Sequence, residues 1–457
     1  MTTSDLESTS PNAAASHAAA AAREAIWRSV ASGEKTTLVD SPPGAGKSTL
    51  VRDIGRRACH SSQVPIIVQT NDQADDMVRG FSTDATQRDT GGVRIGRLHK
   101  QSYAVPADIQ THSAVVYSNN LADLASCGII ISTAAKWATL DLKRTWPFII
   151  IDEAYQMRSD ALLPVGMTSE SLLLVGDPGQ LSPFTTADMS KFRGRALSPL
   201  ETAATTILTS HPNTARLQLP VSWRLPNHSA DVIARAFYEH HFQAGTAPGQ
   251  RYLESDAVPL RRSHSTAAVD QAVTTGWSYL ELEGLPMPTN DPEAVTTIAD
   301  IVATLLTAGI TTVDENGSHL LSPSDIAVGV THVDQREHVR VALQQLPGSV
   351  RTAAADVTVE TANVLQGREF EITVVWHPLS GRLDASEFHL DPGRLCVLLS
   401  RHRQACIVVS RGGIRSQLIE HPPTEPVWLG ETGPPIDGWH SHLSILDHLE
   451  RHRVELQ

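Results

Sequence analysis

The chain has 457 residues and a formal net charge of −13; 41% of its residues are hydrophobic and only 5% are aromatic. This length is too great for one compact core and indicates two or three domains, and the composition is typical of globular proteins. The negative charge disfavours a bulk electrostatic grip on nucleic-acid phosphates, and so few aromatic side chains exclude nucleic-acid binding that depends mainly on stacking.

Cysteine usage and the lack of targeting segments predict a cytoplasmic protein that does not engage a membrane. The four cysteines are scattered without metal-ligand spacing, which is typical of reduced thiols (Cys59, Cys127, Cys396 and Cys406). The alanine-rich stretch at 13–22 lacks the basic flank and strongly apolar core of a signal peptide. No apolar run approaches the length of a membrane span.

The first half predicts an α/β domain over residues 18–212, preceded by a disordered segment at 1–17. Helices are expected at 18–30 and 48–58, and buried strands at 36–40, 65–69, 128–132, 148–151 and 171–175. Strands that alternate with helices indicate a parallel sheet covered on both faces. Residues 81–124 interrupt this rhythm and predict a small insertion.

The second half predicts another α/β domain over residues 213–420. Helices are expected at 227–238, 292–308, 334–346 and 395–401, and strands at 277–281, 325–330, 357–361, 371–376 and 406–410. A Pro/Gly-rich tail at 421–457 ends in a short helix. Its histidines have no metal-ligand spacing and are expected on a surface helix (His440, His442, His448 and His452).

The first chemical motif follows the first strand and reads Ser41-Pro-Pro-Gly-Ala-Gly-Lys-Ser48. It matches the phosphate loop G-x-x-x-x-G-K-[ST] except at Ser41. Glycines allow backbone N–H groups to face phosphates, Lys47 would reach the outer phosphates, and the Ser48 hydroxyl would hold Mg²⁺. The predicted nucleotide contacts are Pro43, Gly44, Ala45, Gly46, Lys47, Ser48 and Thr49. The alternative is a plain Gly/Pro turn before a helix.

Two further strand ends carry polar residues suited to phosphate hydrolysis. Asp152 would hold the metal's water shell, and Glu153 would orient and deprotonate the attacking water. Gln180, after the strand at 171–175, would hydrogen-bond the γ-phosphate. The alternative for the two acids is a helix N-cap pair.

These motifs, in this order, resemble those of superfamily 1 helicases. Their residues are similar to those of the branch that contains the RNA-surveillance helicases. Segments 69–75, 131–134, 152–156 and 176–183 resemble that family's motif Ia, its Ser-Thr segment, motif II and motif III. The resemblance implies that Thr70, Asn71 and Thr133 contact a nucleic-acid backbone. Without the family, both threonines would be read as ordinary hydroxyls at strand ends.

The second half resembles the remaining motifs of the same family. The resemblance implies that Arg224 reaches the γ-phosphate and Trp223 stacks on the base. It further implies nucleotide contacts by Gly367 and Glu369, a nucleic-acid contact by Thr361, and an arginine finger at Arg401. His332 or Gln335 would approach nucleic acid.

The resemblance implies a fold of two tandem RecA-like domains with parallel sheets and an ATP site in the cleft between them. The implied function is an ATP-dependent, nucleic-acid-stimulated helicase or translocase that hydrolyses ATP with Mg²⁺ on single-stranded DNA or RNA, alongside protein partners. Two alternatives stay open: an ATPase switch or sensor that unwinds nothing, and a small-molecule kinase, which would leave the second-half motifs without a role.

Overall fold

The computed structural model describes residues 11–87, 93–110, 114–140, 144–181, 183, 192, 199, 201–255, 263–287, 289–420 and 437–454. It divides into two compact units. The first unit comprises Ala18–Pro178 and Ser182–Pro220; the second comprises Val221–Gln457 with Gly179–Leu181 and Met1–His17. Among the described residues, no helix has the length and apolar character needed to cross a membrane.

The first unit is built on an eight-stranded sheet in which every neighbouring pair is parallel. Its strands are β1 (Thr36–Asp40), β2 (Val64–Val68), β3 (Ile95–Leu98), β4 (Val115–Ser118), β5 (Ile129–Thr133), β6 (Ile149–Asp152), β7 (Leu172–Gly176) and β8 (Ala215–Gln218), in the spatial order β4-β3-β5-β2-β6-β7-β1-β8. A hydrophobic cluster lies on each face, as expected for strands that are apolar on both sides.

Helices flank this sheet. They are α1 (Pro11–Ala31), α2 (Lys47–Cys59), α3 (Asn71–Gln87), α4 (Ala107–Gln110), α5 (Ala134–Trp137), α6 (Ser159–Gly166) and α7 (Ala203–Ser210). Residues 11–17 are therefore helical rather than disordered, because their alanines favour a helix; residues 1–10 lie outside the described part. The stretch at 81–124 is not an insertion, because β3 and β4 extend the main sheet. The second domain does not begin at 213, because residues 213–220 belong to the first unit and 215–218 form β8, which pairs with β1.

The second unit contains a five-stranded, wholly parallel sheet in the order β12-β18-β17-β15-β16. These strands are β12 (Trp277–Leu282), β15 (Ile326–Val330), β16 (Thr358–Thr361), β17 (Phe370–Trp376) and β18 (His402–Arg411). Two small sheets complete the strands: β9 (Val221–Ser222) with β10 (Gln243–Ala244), and β11 (Tyr252–Ser255) with β13 (Ile310–Asp314) and β14 (Gly317–Leu320). The predicted α/β fold with parallel sheets is confirmed.

The helices of the second unit are α8 (Asn227–Phe237), α9 (His264–Thr275), α10 (Pro292–Thr307), α11 (Val333–Gln344), α12 (Gly348–Ala354), α13 (Ala362–Leu365), α14 (Glu387–Leu390), α15 (Pro392–Leu399), α16 (Ile414–Glu420) and α17 (Gly438–Leu449). Helix α17 contributes Ile445 and Leu449 to a core cluster of this unit. The expectation that its histidines lie on a surface helix is wrong for His442 and His448, which are buried. Their ring partners, His377 for His442 and Trp277 for His448, are remote in sequence.

Buried imidazoles are a feature of the second unit. Burial lowers the pKa of His442 and of His448 to about 3 and the pKa of His228 to about 4. Burial also holds the pKa values of His377 and His402 well below the ordinary range. The ring of His377 meets the ring of His442 edge-on, with centroids 5.2 Å apart. The folded second unit therefore carries these rings in their neutral form.

We expect acid to destabilise this unit. An unfolded histidine has a pKa of about 6.5, so the unfolded chain binds more protons than the folded one below that pH. Each such histidine then removes about 1.4 kcal/mol of stability per pH unit as the pH falls below 6.5. Urea denaturation between pH 7.5 and 5, followed by tryptophan fluorescence, measures this slope.

The matched controls come from one helix. The His442→Leu variant should lose part of the pH slope, whereas His440→Leu should keep it, since the His440 side chain is 75% exposed. A stability that does not change between pH 7.5 and 5 would contradict the expectation.

Candidate nucleotide site and the second-unit arginine network

The loop between β1 and α2 has the backbone conformation that a phosphate loop requires. Gly44 and Gly46 adopt left-handed φ angles of 70° and 85°, which glycine reaches without steric cost. Gly46 is the N-cap of α2, so the loop ends at a helix N-terminus. The Ser41 backbone N–H donates to the Gly176 carbonyl over 2.8 Å, which ties the loop to the end of β7. The Ser41 Oγ is buried and has no hydrogen-bond partner among the described residues.

Lys47 faces both acids of the predicted site. Its Nζ forms an ion pair with the Glu153 carboxylate and lies 3.8 Å from Asp152 Oδ1. Burial lowers the pKa of Lys47, but attraction to Glu153 and Asp152 outweighs burial and raises this pKa overall. The ammonium group is therefore held charged beside two carboxylates.

The two acids lie where β6 ends: Asp152 is its last residue, and Glu153 follows in a tight turn. Asp152 Oδ1 accepts a hydrogen bond from the Glu153 N–H over 2.9 Å, and Glu153 has a φ of 58°, a left-handed conformation that is uncommon outside glycine. An added Cβ at Gly176 would lie 2.9 Å from the Ala154 nitrogen, so glycine is required there for β7 to approach this turn. Burial raises the pKa of Asp152 to about 6, although Lys47 acts in the opposite direction.

The residues predicted to hold Mg²⁺ differ in exposure. The Ser48 residue is exposed at the start of α2, as is Thr49, whereas Asp152 is buried. Within the described part of the chain, no three His, Cys, Asp or Glu side chains cluster as a metal site would require. The donor set of one hydroxyl and one carboxylate fits a Mg²⁺ ion that takes its other ligands from phosphate and water.

Sequence reasoning missed a buried acid at the end of β1. Asp40 accepts hydrogen bonds from the Tyr155 hydroxyl and from Arg216 Nε, each over 2.7 Å. Tyr155 belongs to the Asp-Glu motif and Arg216 to β8, so Asp40 joins three elements around the phosphate loop. The sequence signal that could have identified Asp40 is an aspartate that ends an apolar strand directly before the loop.

The residues predicted to contact nucleic acid in the first unit have local structural roles. The Thr70 Oγ1 accepts from the Gln73 N–H over 3.2 Å, while Gln73 Oε1 accepts from the Thr70 N–H over 3.0 Å, a reciprocal cap at the start of α3. Asn71 Oδ1 accepts from the buried Arg97 over 3.0 Å. Thr133 caps α5. Thr70 remains exposed and Asn71 half-buried.

In the second unit, Arg224 and Glu369 form an ion pair. Arg224 Nε donates to Glu369 Oε2 over 3.0 Å, and the second Glu369 oxygen lies 3.5 Å from Arg403 Nη1. Burial raises the pKa of Glu369, but the neighbouring guanidinium groups of Arg224 and Arg403 outweigh it and lower this pKa overall. Arg403 also pairs with Asp314 over 3.0 Å.

Arg251 is a second residue that the sequence did not reveal. Its Nη1 donates to the Arg224 carbonyl over 2.6 Å and its Nη2 to the Trp223 carbonyl over 2.8 Å, while Nε donates to Glu315 over 2.9 Å. Arg251 thus fixes the backbone that carries Trp223 and Arg224. It lies in an irregular loop before β11, where no motif marks it.

The other predicted nucleotide contacts of this unit have distinct environments. Trp223 is half-buried and packs on Gly245, where an added Cβ would lie 2.3 Å from the indole ring. Gly367 has a φ of 84° and open space at its Cβ position, so backbone freedom alone explains this glycine. Thr361 is largely buried at the start of α13.

Arg401 and Gln180 both belong to the second unit. The Arg401 side chain is fully buried, and it donates to the Val397 carbonyl over 3.1 Å and to Ser400 Oγ over 2.7 Å. Gln180 was predicted with the first-half residues, but it belongs to the Gly179–Leu181 segment of the second unit. Its backbone carbonyl lies so close to Gly393 that an added Cβ there would be 2.7 Å away.

Comparisons with known proteins agree with the motifs. A family model described as an AAA domain (AAA_12) matches residues 201–412. The chain is 26% identical over 282 residues to the regulator of nonsense transcripts 1 homolog of Drosophila melanogaster, covering 60% of this chain and 22% of that protein. It is 23% identical over 268 residues to the homolog from Neurospora crassa, covering 57% and 22%. The chain is similar to the RNA-surveillance branch of superfamily 1 helicases. It spans about a fifth of the length of these relatives.

Solved helicase structures are also similar to this chain. A structure of the PRRSV helicase has a TM-score of 0.40 at 14% identity and covers 89% of this chain and 56% of that one. An arterivirus nonstructural protein 10 helicase in complex with DNA has a TM-score of 0.41 at 12% identity and covers 87% and 62%.

Removal of Arg251 should destabilise the second unit. The Arg251→Met variant leaves the carbonyls of Trp223 and Arg224 without the Arg251 donor and leaves Glu315 with Arg403 alone, 3.7 Å away, so we expect about 1–3 kcal/mol less unfolding free energy. Urea denaturation measures the loss. The control is Arg235→Met, whose side chain is 64% exposed in α8 and which should change stability by less than about 0.5 kcal/mol. Equal losses in the two variants would contradict the role given to Arg251.

Proposed function

We propose that this protein is an ATPase stimulated by single-stranded nucleic acid, with the helicase or translocase activity that its relatives' family implies. The observation that carries the proposal is the meeting of Lys47, at the start of α2, with Asp152 and Glu153, at the end of β6, along the carboxyl edge of the first sheet and next to the glycine loop. Phosphoryl transfer depends mainly on positioning and charge stabilisation, and these are the groups that it needs.

The proposed roles in the first unit follow from each side chain's position. The backbone of Pro43 to Gly46 and the N-terminus of α2 would bind phosphates, and Lys47 would exchange its pairing with Glu153 for the outer phosphates. The Glu153 carboxylate, once released from Lys47, would then orient and deprotonate the attacking water. Ser48 and Asp152 would hold Mg²⁺, which would supply positive charge against the negative charge that develops on the phosphates.

The proposed roles in the second unit concern the nucleotide and the strand. Arg224 and Arg401 would supply guanidinium groups to the phosphates, Trp223 would stack on the base, and Glu369 would accept from a ribose hydroxyl. Gln180 would sense the γ-phosphate. The support is the ordered network around Arg224, because a guanidinium that is fixed in advance loses less entropy when it binds. The position of the nucleotide between two domains stays a prediction.

Nucleic acid would contact Thr70, Asn71, Thr133 and Thr361. Thr70 is exposed, so a hydroxyl that caps a helix through its acceptor lone pair can still donate to a phosphate. The net charge of −13 favours one competing proposal, an ATP-driven switch that binds no strand, because it weakens a general attraction to phosphates.

ATP turnover with and without single strands tests these two proposals. We expect purified protein to hydrolyse ATP, and single-stranded DNA or RNA to raise the rate. The Glu153→Gln variant should still bind nucleotide but lose about 10²- to 10⁴-fold in turnover, the usual contribution of a general base. The exposed Glu170→Gln variant in the same unit is the control and should turn over normally.

The results of these assays distinguish the stimulated ATPase from the switch and test Glu153 as the general base. Turnover that neither polymer stimulates would favour the switch. Undiminished turnover in Glu153→Gln would assign the base to another residue.

Arg401 has a catalytic and a structural interpretation, and these predict different kinetics. As an arginine finger, the Arg401→Ala change should cut turnover by about 10³-fold or more with little loss of nucleotide affinity. Because Arg401 is buried and donates to the Val397 carbonyl of α15, melting temperature must be measured in parallel, with Arg401→Lys as the charge-preserving variant. Parallel losses of binding, turnover and melting temperature would contradict the finger role.

A further inference from the structure

Exposed apolar side chains gather where the strands of the second sheet end. Val333 follows β15, Val364 follows β16, and Leu383 and Phe388 follow β17; they are 58%, 47%, 74% and 39% exposed. The carboxyl edge of an open parallel sheet is where such folds bind ligands. Phe388 is the aromatic member of this set.

Phe388 rests on a guanidinium. The Arg394 Cζ lies 3.9 Å from the centre of the Phe388 ring, a cation–π contact. Arg394 is only 6% exposed whereas Phe388 is 39% exposed, so the guanidinium supports the ring from the protein side and the ring presents area to solvent. The His332 ring lies beside it, with centroids 5.3 Å apart and planes 30° from parallel.

The ring is held by contacts that join three strand ends. Arg394 also donates to the Phe388 carbonyl over 3.1 Å and to Asn363 Oδ1, after β16, over 3.4 Å. His332, after β15, is 3.0 Å from His389 between their Nε2 atoms, and Ser386 Oγ lies 2.7 Å from His389 Nδ1. Phe388 is therefore an exposed aromatic ring on a fixed support.

The loop that carries Phe388 also carries a cationic side chain and lines a cavity. The Arg382 side chain is 27% exposed, and its Nη2 lies 3.4 Å from Asp384 Oδ1. It also lines a 410 Å³ cavity together with Pro286, Met287, Gly381, Leu383 and Asp384. An aromatic face beside a guanidinium that reaches solvent is the pairing that binds a base and its phosphate.

We propose that Phe388, supported by Arg394 and flanked by His332, stacks on a nucleobase of single-stranded DNA or RNA. The inference rests on the proposed function and adds a base contact to it. With a net charge of −13, the protein has little general attraction to phosphates, so a contact to the base supplies affinity that does not depend on charge. Every base has a π face, so the contact would accept any sequence.

Binding of labelled oligonucleotides tests the base contact. Fluorescence anisotropy is measured with single-stranded DNA, single-stranded RNA and an abasic strand of equal length. The Phe388→Ala variant should bind the base-containing strands about 5- to 150-fold more weakly, which corresponds to one stacked base. It should bind the abasic strand as the wild-type protein does. Phe388→Trp should restore affinity, and Phe388→Leu should not.

The control is Tyr252→Ala, an aromatic residue of the same unit that is 44% exposed on β11 and should bind all strands normally. Melting temperatures check that each variant is folded. An equal loss on abasic and base-containing strands, or no loss in Phe388→Ala, would overturn the base contact while leaving the proposed function standing. Failure of the wild-type protein to bind any single strand would overturn both. A loss confined to DNA or to RNA would identify the polymer.

Discussion

The ion pair between Lys47 and the acids after β6 is the interaction on which the first unit's chemistry depends. Two carboxylates that are buried side by side repel each other, and a lysine that is buried alone loses its hydration. The attraction between the lysine and the two carboxylates offsets the cost of burying these charges. Parallel strand order brings them together: Asp152 is in register with Val175, and Asp40 with Gly176, so the loops after β1, β6 and β7 emerge at one edge.

The second unit uses charge differently, through a network of arginines and acids. Arg224, Arg251 and Arg403 are each paired with glutamates or aspartates, and Arg251 additionally fixes the carbonyls of Trp223 and Arg224. Such a network holds guanidinium groups in position before a ligand arrives, which reduces the entropy lost on binding. The cation–π support of Phe388 by Arg394 follows the same principle on a different surface.

Local sequence patterns predicted the parallel sheets, the glycine loop and the acids at strand ends. An apolar run followed by glycines or acids can be recognised within a window of ten residues. Ion pairs between residues that are far apart in the chain could not be predicted in this way. Arg251 and Glu315 are 64 residues apart, and Asp40 and Arg216 are 176 apart. The strands β3 and β4 were missed because Gly96 and Arg97 interrupt the first and Ser118 ends the second, so neither is a continuous apolar run. The burial of His442 was missed because its helix looked polar and its neighbours belong to other elements.

Helix α17 has a consequence for how the chain acquires its structure during synthesis. All eight strands of the first sheet lie between residues 36 and 218, so that unit has its full sheet once this stretch has left the ribosome. The second unit must wait, since Ile445 and Leu449 complete a core cluster that also contains Trp277 and Leu395. While residues 445–449 are still unsynthesised, this cluster is incomplete, so the second unit exposes apolar surface to water for longer than the first.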